Sequence, residues 1–319
     1  FFLFGTALLY GFSGTFTLGG IAEAISGNAG SNGLLLVGIA MLSVGLLFKV
    51  AAVPFHQWTP DVYQGAPTAV TAFMATCVKV AAFGALLRVM YVALGGVRWD
   101  WQPVLWILAA LSMTLGNLVA LRQTSVIRML AYSSIAQGGF MLVPFAVAST
   151  GSAQQSSFEA VVIYILIYGA MNLGVFACVI AAMRRTRSAE ISSFGGMYRY
   201  SPILAVTTSA FLFSLAGIPP LAGWFAKFVM FRAVLDAGTP AAIVLGVIAA
   251  LNSVVAFFYY AGVARTIWFR EVPNEVDARP LSTPFALNAA IAITGVVVLV
   301  VGVYPQLLAK VGELAGAGL

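Results

Sequence analysis

The stretch from 201 to 235, SPILAVTTSAFLFSLAGIPPLAGWFAKFVMFRAVL, decides the fold. It is apolar almost throughout, yet as one helix at 1.5 Å per residue it would be about 52 Å long, against a bilayer hydrocarbon core of about 30 Å. Pro219 and Pro220 stand at its middle, where a proline removes a helical hydrogen bond and clashes with the preceding turn. A membrane helix broken at its centre is the expected solution. The run from 33 to 62, GLLLVGIAMLSVGLLFKVAAVPFHQWTPDV, carries Pro54 and Pro60 in the same manner. A pair of proline-interrupted segments in the two halves of a chain points to an inverted-repeat transporter core; the alternative is a pair of merely kinked helices.

The rest of the chain agrees with a membrane setting. Of 319 residues, 61% are apolar and 8% charged, and the mean hydropathy is +0.99, far from the roughly 25% charged residues of soluble domains. Apolar runs and breakers give an all-α polytopic bundle of about nine spans, near 1–18, 33–62, 67–95, 101–121, 125–148, 158–183, 201–235, 240–268 and 282–305. The chain reads as a single membrane domain over 1–319, with 1–95 the end of a first inverted repeat, 101–270 a second, and 282–305 a final transmembrane helix. It opens with Phe1 inside an apolar run, so an N-terminal portion of a longer chain is expected to precede it.

If the spans alternate, the loops around 122–128, 184–200 and 265–281 share one side. They hold Arg122, Arg128, Arg184, Arg185, Arg187, Arg199, Arg265, Arg270 and Arg279, whereas the other side has Arg98 and Lys310, with Arg88 and Arg232 near helix ends. The positive-inside rule then places the arginine-rich loops in the cytoplasm and the C-terminus outside. Orientation in the membrane thus accounts for the net charge of +6; the basic residues form no aromatic-interleaved patch for nucleic acid. Cys77 and Cys178 lie in apolar spans and read as small buried hydrophobes, with no disulfide or metal framework.

The ionisable residues inside the spans carry the chemistry. All ten Asp and Glu residues fall in loops or at span ends, while Lys49, Lys79 and Lys227 fall within spans. A charge at the bilayer centre costs about 2.5–3.5 kcal/mol on insertion scales, so each lysine is expected to pair, face water or perform a task. A lysine near a helix end also snorkels to the interface, a reading that suits Lys227 better than Lys79, which lies near the midplane. Desolvation lowers a lysine's pKa and a nearby carboxylate raises it again, so making or breaking one ion pair loads or releases a proton. The carboxylate has to come from upstream sequence or a neighbouring subunit, or the lysines are neutral.

Polar neighbours support such a carrier. Tyr164, Tyr168 and Asn172 recur every four residues and share one helix face, as do Ser133, Ser134 and Gln137 on the span before. They form either a hydrogen-bonded path or interhelical glue. His56, the single histidine, stands beside the Pro54 break and is either a titratable group at the mouth of a lysine path or an ordinary hydrogen-bonded residue. One histidine and two cysteines exclude a bis-histidine haem and a zinc or iron–sulfur site built by this chain alone. No Gly-rich loop follows a strand and no Ser/His/Asp arrangement is available, so no nucleotide, flavin or nicotinamide site is expected here.

The segment FKVAAVPFHQWTPDVYQGAPTA (48–69) resembles the signature of the subunit N family of bacterial proton-pumping NADH:quinone oxidoreductase, complex I. The likeness continues through ATCVKVAAFGALLR (75–88), SVIRMLAYSSIAQGGF (125–140) and FSLAGIPPLAGWFAKF (213–228). The resemblance implies fourteen helices around two inverted five-helix repeats, of which this chain corresponds to helices six through fourteen. It makes Lys49 the lysine of broken helix seven, in a switchable ion pair with a glutamate upstream of Phe1, Lys79 the central relay of helix eight, and Lys227 the terminal carrier of broken helix twelve. Gln137 departs from the pattern, since many relatives have histidine there; protons crossing between Lys79 and Lys227 would have to use water and hydroxyls such as Ser133, Ser134 and Tyr168. The implied function is proton translocation across a bacterial inner membrane, coupled to NADH:quinone oxidoreduction in other subunits. NADH, FMN, iron–sulfur clusters and quinone are expected on those subunits and no cofactor on this one, with membrane-arm subunits and lipids as partners. The rival readings are a subunit of a multisubunit sodium/proton antiporter or membrane-bound hydrogenase, against which VYQGAP (62–67) speaks, and a structural anchor with idle lysines.

Overall fold

Both proline-bearing runs break where the prolines stand. The computed structural model describes residues 1–27, 33–148, 152–273 and 283–316. In chain order the helices are α1 (Phe2–Ser13), α2 (Leu18–Gly27), α3 (Gly33–Val50), α4 (Trp58–Gly65), α5 (Thr68–Phe73), α6 (Lys79–Arg88), α7 (Arg98–Ala120), α8 (Val126–Val147), α9 (Ser152–Thr186), the one-turn α10 (Met197–Tyr200), α11 (Pro202–Ala216), α12 (Gly223–Ala237), α13 (Pro240–Phe269), α14 (Phe285–Val303) and α15 (Gln306–Gly316). No strand occurs among the described residues; an isolated bridge joins Ser125 to Glu190.

The breaks are built rather than frayed. At the first, Ala51 takes a positive φ of 59°, and the Val53 N–H, left without a helical acceptor, donates to Ser112 Oγ of α7 at 2.9 Å. The Trp58 indole donates to the Phe48 carbonyl at 3.1 Å. At the second, α11 ends on Gly217 in the left-handed region, whose N–H returns to Phe213 and Ser214. The chain then crosses α14: Ala222 N–H donates to the Val298 carbonyl at 3.0 Å and the Trp224 indole to the Gly302 carbonyl at 2.8 Å. A Cβ on Gly302 would stand 1.9 Å from the Pro220 oxygen, so this crossing requires glycine.

The expected count of nine spans is not reached on length and apolarity alone. Seven described helices are long and apolar enough to cross a membrane, counting the continuous helical stretch Thr68–Ala93 that contains α5 and α6 as one, and α1 with α2 makes eight if that pair is one span. The expected first span, 1–18, is corrected: α1 stops at Ser13 and the chain turns by 52° into α2. The halves α11 and α12 have 15 residues each, about 22 Å at 1.5 Å per residue, so neither spans alone. Arg279 of the expected arginine-rich loop lies outside the described residues.

At the centre stands α8, nearly all of whose side chains are buried. It meets α7 through glycines on both sides of the contact: a Cβ on Gly116 would come within 2.7 Å of Ala136 N, and one on Gly139 within 2.6 Å of Met113 N. Small residues bring the backbones together, which is how membrane helices associate without a hydrophobic drive. Leu111, Leu118, Val247, Leu251 and Val254 of α7 and α13 face outward, as apolar residues do where lipid is the solvent.

Candidate functional site

Lys79 opens α6 directly after a π-helical turn, Met74–Val78, a local widening frequent at functional sites. Only 2% of the residue is exposed. Its Nζ donates to both the carbonyl and the hydroxyl of Ser134 on α8, each at 2.6 Å. The Tyr168 hydroxyl of α9 reaches the same Ser134 Oγ at 3.1 Å and the Ala75 carbonyl at 3.2 Å. Asn172, one turn further along α9, donates to Thr76 Oγ1 in the π-helical turn at 3.1 Å. The buried Tyr63 of α4 also brings its hydroxyl to Ser134.

One turn along α8, Gln137 gathers a second cluster. Its Nε2 donates to the Leu215 carbonyl at 3.0 Å and to the Tyr260 hydroxyl at 3.4 Å, while Tyr164 donates to its Oε1 at 2.8 Å. Ser133 and Tyr260 share a short hydrogen bond. Lys227, 7% exposed, donates from Nζ to the Ala216 carbonyl at 2.7 Å and lies 4.9 Å from the centre of the Phe140 ring. Gln137 and Lys227 thus hold consecutive carbonyls, those of residues 215 and 216, which the helix break leaves without helical donors. The C-terminal end of α11 also presents the negative pole of its dipole to the lysine.

The structure therefore gathers Lys79, Lys227, Ser133, Ser134, Gln137, Tyr164 and Tyr168, with Asn172, around α8. Neither buried lysine forms an ion pair with a described residue; the ion pairs found are Arg128–Asp61 and Arg232–Asp236. Lys49 corrects the expectation of three buried bases: it is exposed in the last turn of α3 and has no hydrogen bond to a described side chain or carbonyl. His56 is half-buried in the bend after Pro54 and is not joined to either lysine. Cys77 is likewise exposed rather than buried, because the π-helical turn carries it to the outer face, whereas Cys178 is buried.

Sequence reading missed Tyr63, Tyr259 and Tyr260. Tyr259 donates to Asn117 Oδ1 of α7 at 3.0 Å, and Asn117 Nδ2 donates to Asn252. The signal was the recurrence of Asn252 and Tyr259 seven residues apart on one face of an otherwise apolar helix. Among the described residues, no group of three or more His, Cys, Asp or Glu could hold a metal ion.

The profile of the family described as "NADH:quinone oxidoreductase/Mrp antiporter, TM" matches residues 1–253. The chain belongs to this family. Among relatives, it is 44% identical over 307 residues to NADH-quinone oxidoreductase subunit N of Mycobacterium bovis and 45% identical over 307 residues to that of Rhodococcus opacus, covering 96% of this chain in each case. It spans 57% and 55% of the length of those two proteins. A chain in the structure of respiratory complex I from Thermus thermophilus with bound aureothin superposes with a TM-score of 0.78 at 36% identity, over 97% of this chain and 64% of that one. A chain of the Mrp complex from Dietzia has a TM-score of 0.88 at 24% identity, covering 100% of this chain and 65% of that one, and shows the shared family fold alone. The buried-lysine cluster thus lies in an antiporter-like membrane fold.

Proposed function

We propose that this chain is a proton-translocating membrane subunit of a respiratory NADH:quinone oxidoreductase, passing protons along a lysine relay while redox chemistry proceeds on other subunits. The observation that carries this reading is the placement of Lys79 and Lys227 on opposite flanks of α8, both buried without a carboxylate and both held by groups that accept hydrogen bonds. A lysine so placed is switchable: the surroundings solvate the ammonium only through a hydroxyl and carbonyls, so a small change in local charge shifts its proton.

In this reading Lys49 forms the ion pair that starts the stroke, and its exposed face is where another segment or subunit supplies the carboxylate. Lys79 is the central relay and Lys227 the terminal carrier, with Ser133, Ser134, Gln137, Tyr164 and Tyr168 ordering the path and His56 at its mouth. The breaks after α3 and α11 are corresponding elements of two inverted repeats, 1–95 and 101–270. The arginine-rich loops face the cytoplasm and the C-terminus the outside. NADH, FMN, iron–sulfur clusters and quinone belong to partner subunits of the membrane and peripheral arms, and this chain holds no cofactor. Moving one charge against the membrane potential costs about 2.3 kcal/mol per 100 mV, so the relay needs a coupled driving reaction.

The fold is shared with the Mrp complex, which makes sodium/proton antiport the competing reading; identity of 44% to subunit N against 24% to the Mrp chain favours the former. Affinity purification of the tagged full-length subunit from native membranes separates them. Co-purification of NADH:quinone reductase activity is expected; its absence, with sodium/proton exchange in reconstituted vesicles instead, would overturn the assignment.

A further inference from the structure

Gln137 sits between the two lysines but cannot release a proton at one end while taking one up at the other. Its orientation is fixed by chemistry. The Leu215 carbonyl can only accept, so the amide atom 3.0 Å from it is the nitrogen, and the oxygen is left to accept from Tyr164 at 2.8 Å. The second N–H of Gln137 points at the Tyr260 oxygen, 3.4 Å away. The Tyr260 hydroxyl also shares a hydrogen bond with Ser133, in which either oxygen can donate. The hydrogen bonds therefore link Tyr164, Gln137, Tyr260 and Ser133 in one chain, with Tyr164 donating to Gln137 and Gln137 to Tyr260. They end beside Ser134, which accepts from Lys79.

The Tyr260 ring is held from behind. Tyr259 lies beside it, with ring centres 4.4 Å apart and planes tilted by 53°, and is itself tied to Asn117 on α7. Asn117 in turn donates to the carbonyl and side-chain oxygen of Asn252, each at 3.1 Å. Tyr260, Asn117 and Gln137 are all buried, so a hydroxyl removed from this group cannot be replaced by solvent at no cost.

From this geometry we infer that Tyr260 is a positioning residue for proton transfer between Lys79 and Lys227. It fixes Gln137 so that the amide holds the Leu215 carbonyl beside the Ala216 carbonyl that seats Lys227, and it orders Ser133 next to the Lys79 acceptor. A movement of the α11–α12 break is thereby transmitted across α8 to the Lys79 side. The inference rests on the proposed proton relay.

The test uses the assembled complex in inverted membrane vesicles, measuring protons taken up per NADH oxidised for Tyr260→Phe, Tyr260→Phe with Gln137→His, Lys79→Ala, and Tyr91→Phe as a buried-tyrosine control on another face. Tyr260→Phe is expected to lower the ratio on the order of tenfold, the scale set by leaving one buried amide donor unsatisfied, with the complex assembled and Tyr91→Phe like the wild type. Gln137→His, which supplies a group able to take and release a proton, is expected to recover most of the loss. Loss in Lys79→Ala with an unchanged ratio in Tyr260→Phe would overturn the inference and leave the relay standing. An unchanged ratio in Lys79→Ala would overturn the relay and the inference together. Should Tyr260→Phe prevent assembly, the single Gln137→Leu variant applies the same criterion, because it cuts the same link from the α8 side.

Discussion

Replacing Gly217 with alanine separates the seating of Lys227 from the stability of the helix break. Gly217 has φ +92°, and a Cβ there would come within 2.7 Å of Lys227 Cδ and 3.2 Å of its Cε. Gly238, which ends α12, provides the comparison: its φ is +61°, but a Cβ would meet only the Leu235 oxygen at 3.7 Å. Both substitutions incur the left-handed penalty of about 1–2 kcal/mol. Only Gly217→Ala also displaces the lysine, and because the obstructed atoms belong to a flexible side chain, the main chain keeps its course while Nζ leaves the Ala216 carbonyl. That lost hydrogen bond is worth about 1–3 kcal/mol, roughly 5- to 150-fold in the population with Lys227 seated. The assay is thermal dissociation of the detergent-solubilised complex, followed by elution of this subunit, beside NADH-driven proton uptake in vesicles. The two variants are expected to lose similar thermal stability, with proton uptake falling at least about five-fold in Gly217→Ala and little in Gly238→Ala. Equal uptake in both variants would refute the argument that Gly217 exists to admit Lys227.

Further outcomes follow from other contacts. Ser134→Ala removes one of the two 2.6 Å bonds to Lys79 and leaves the carbonyl, so proton uptake per NADH should fall about five-fold, in keeping with about 1 kcal/mol for one hydrogen bond, while assembly on a native gel is unchanged. Gly139→Ala sets a Cβ against backbone atoms of α7, Met113 N at 2.6 Å and the Ala109 oxygen at 3.0 Å; α7 and α8 must part, at a cost of about 1–3 kcal/mol, visible as a lower dissociation temperature. Arg128→Ala breaks the 2.8 Å pair with Asp61, whose side chains are 32% and 76% exposed, and should change stability by less than about 1 kcal/mol, with pumping retained.

The breaks and the burial of Lys79 and Lys227 were legible because each has a one-dimensional signature: a proline pair inside an apolar run, and a base within a span. The exposure of Lys49 was not, because hydropathy gives depth along a helix and not azimuth around it. The same limit applies to Cys77, whose outward face depends on the π-helical turn at Met74–Val78. The first expected span failed at Gly14, which caps α1 in the left-handed region and sends its N–H back to Tyr10, since glycine in an apolar run reads equally well as helix. Tyr259 and Tyr260 escaped because tyrosine counts as apolar in a span, although their hydroxyls make the contacts with Asn117, Gln137 and Ser133. His56 has the residue type for a proton mouth, yet no described hydrogen-bonded path joins it to Lys79.

Proton passage by way of Lys79 at the expense of NADH oxidation stands or falls with Lys79→Ala in inverted vesicles, with proton uptake, NADH:quinone reductase activity and assembly measured on one preparation. An assembled complex whose proton uptake per NADH is clearly reduced is expected; an assembled complex with undiminished uptake would leave the buried lysine without a part in pumping.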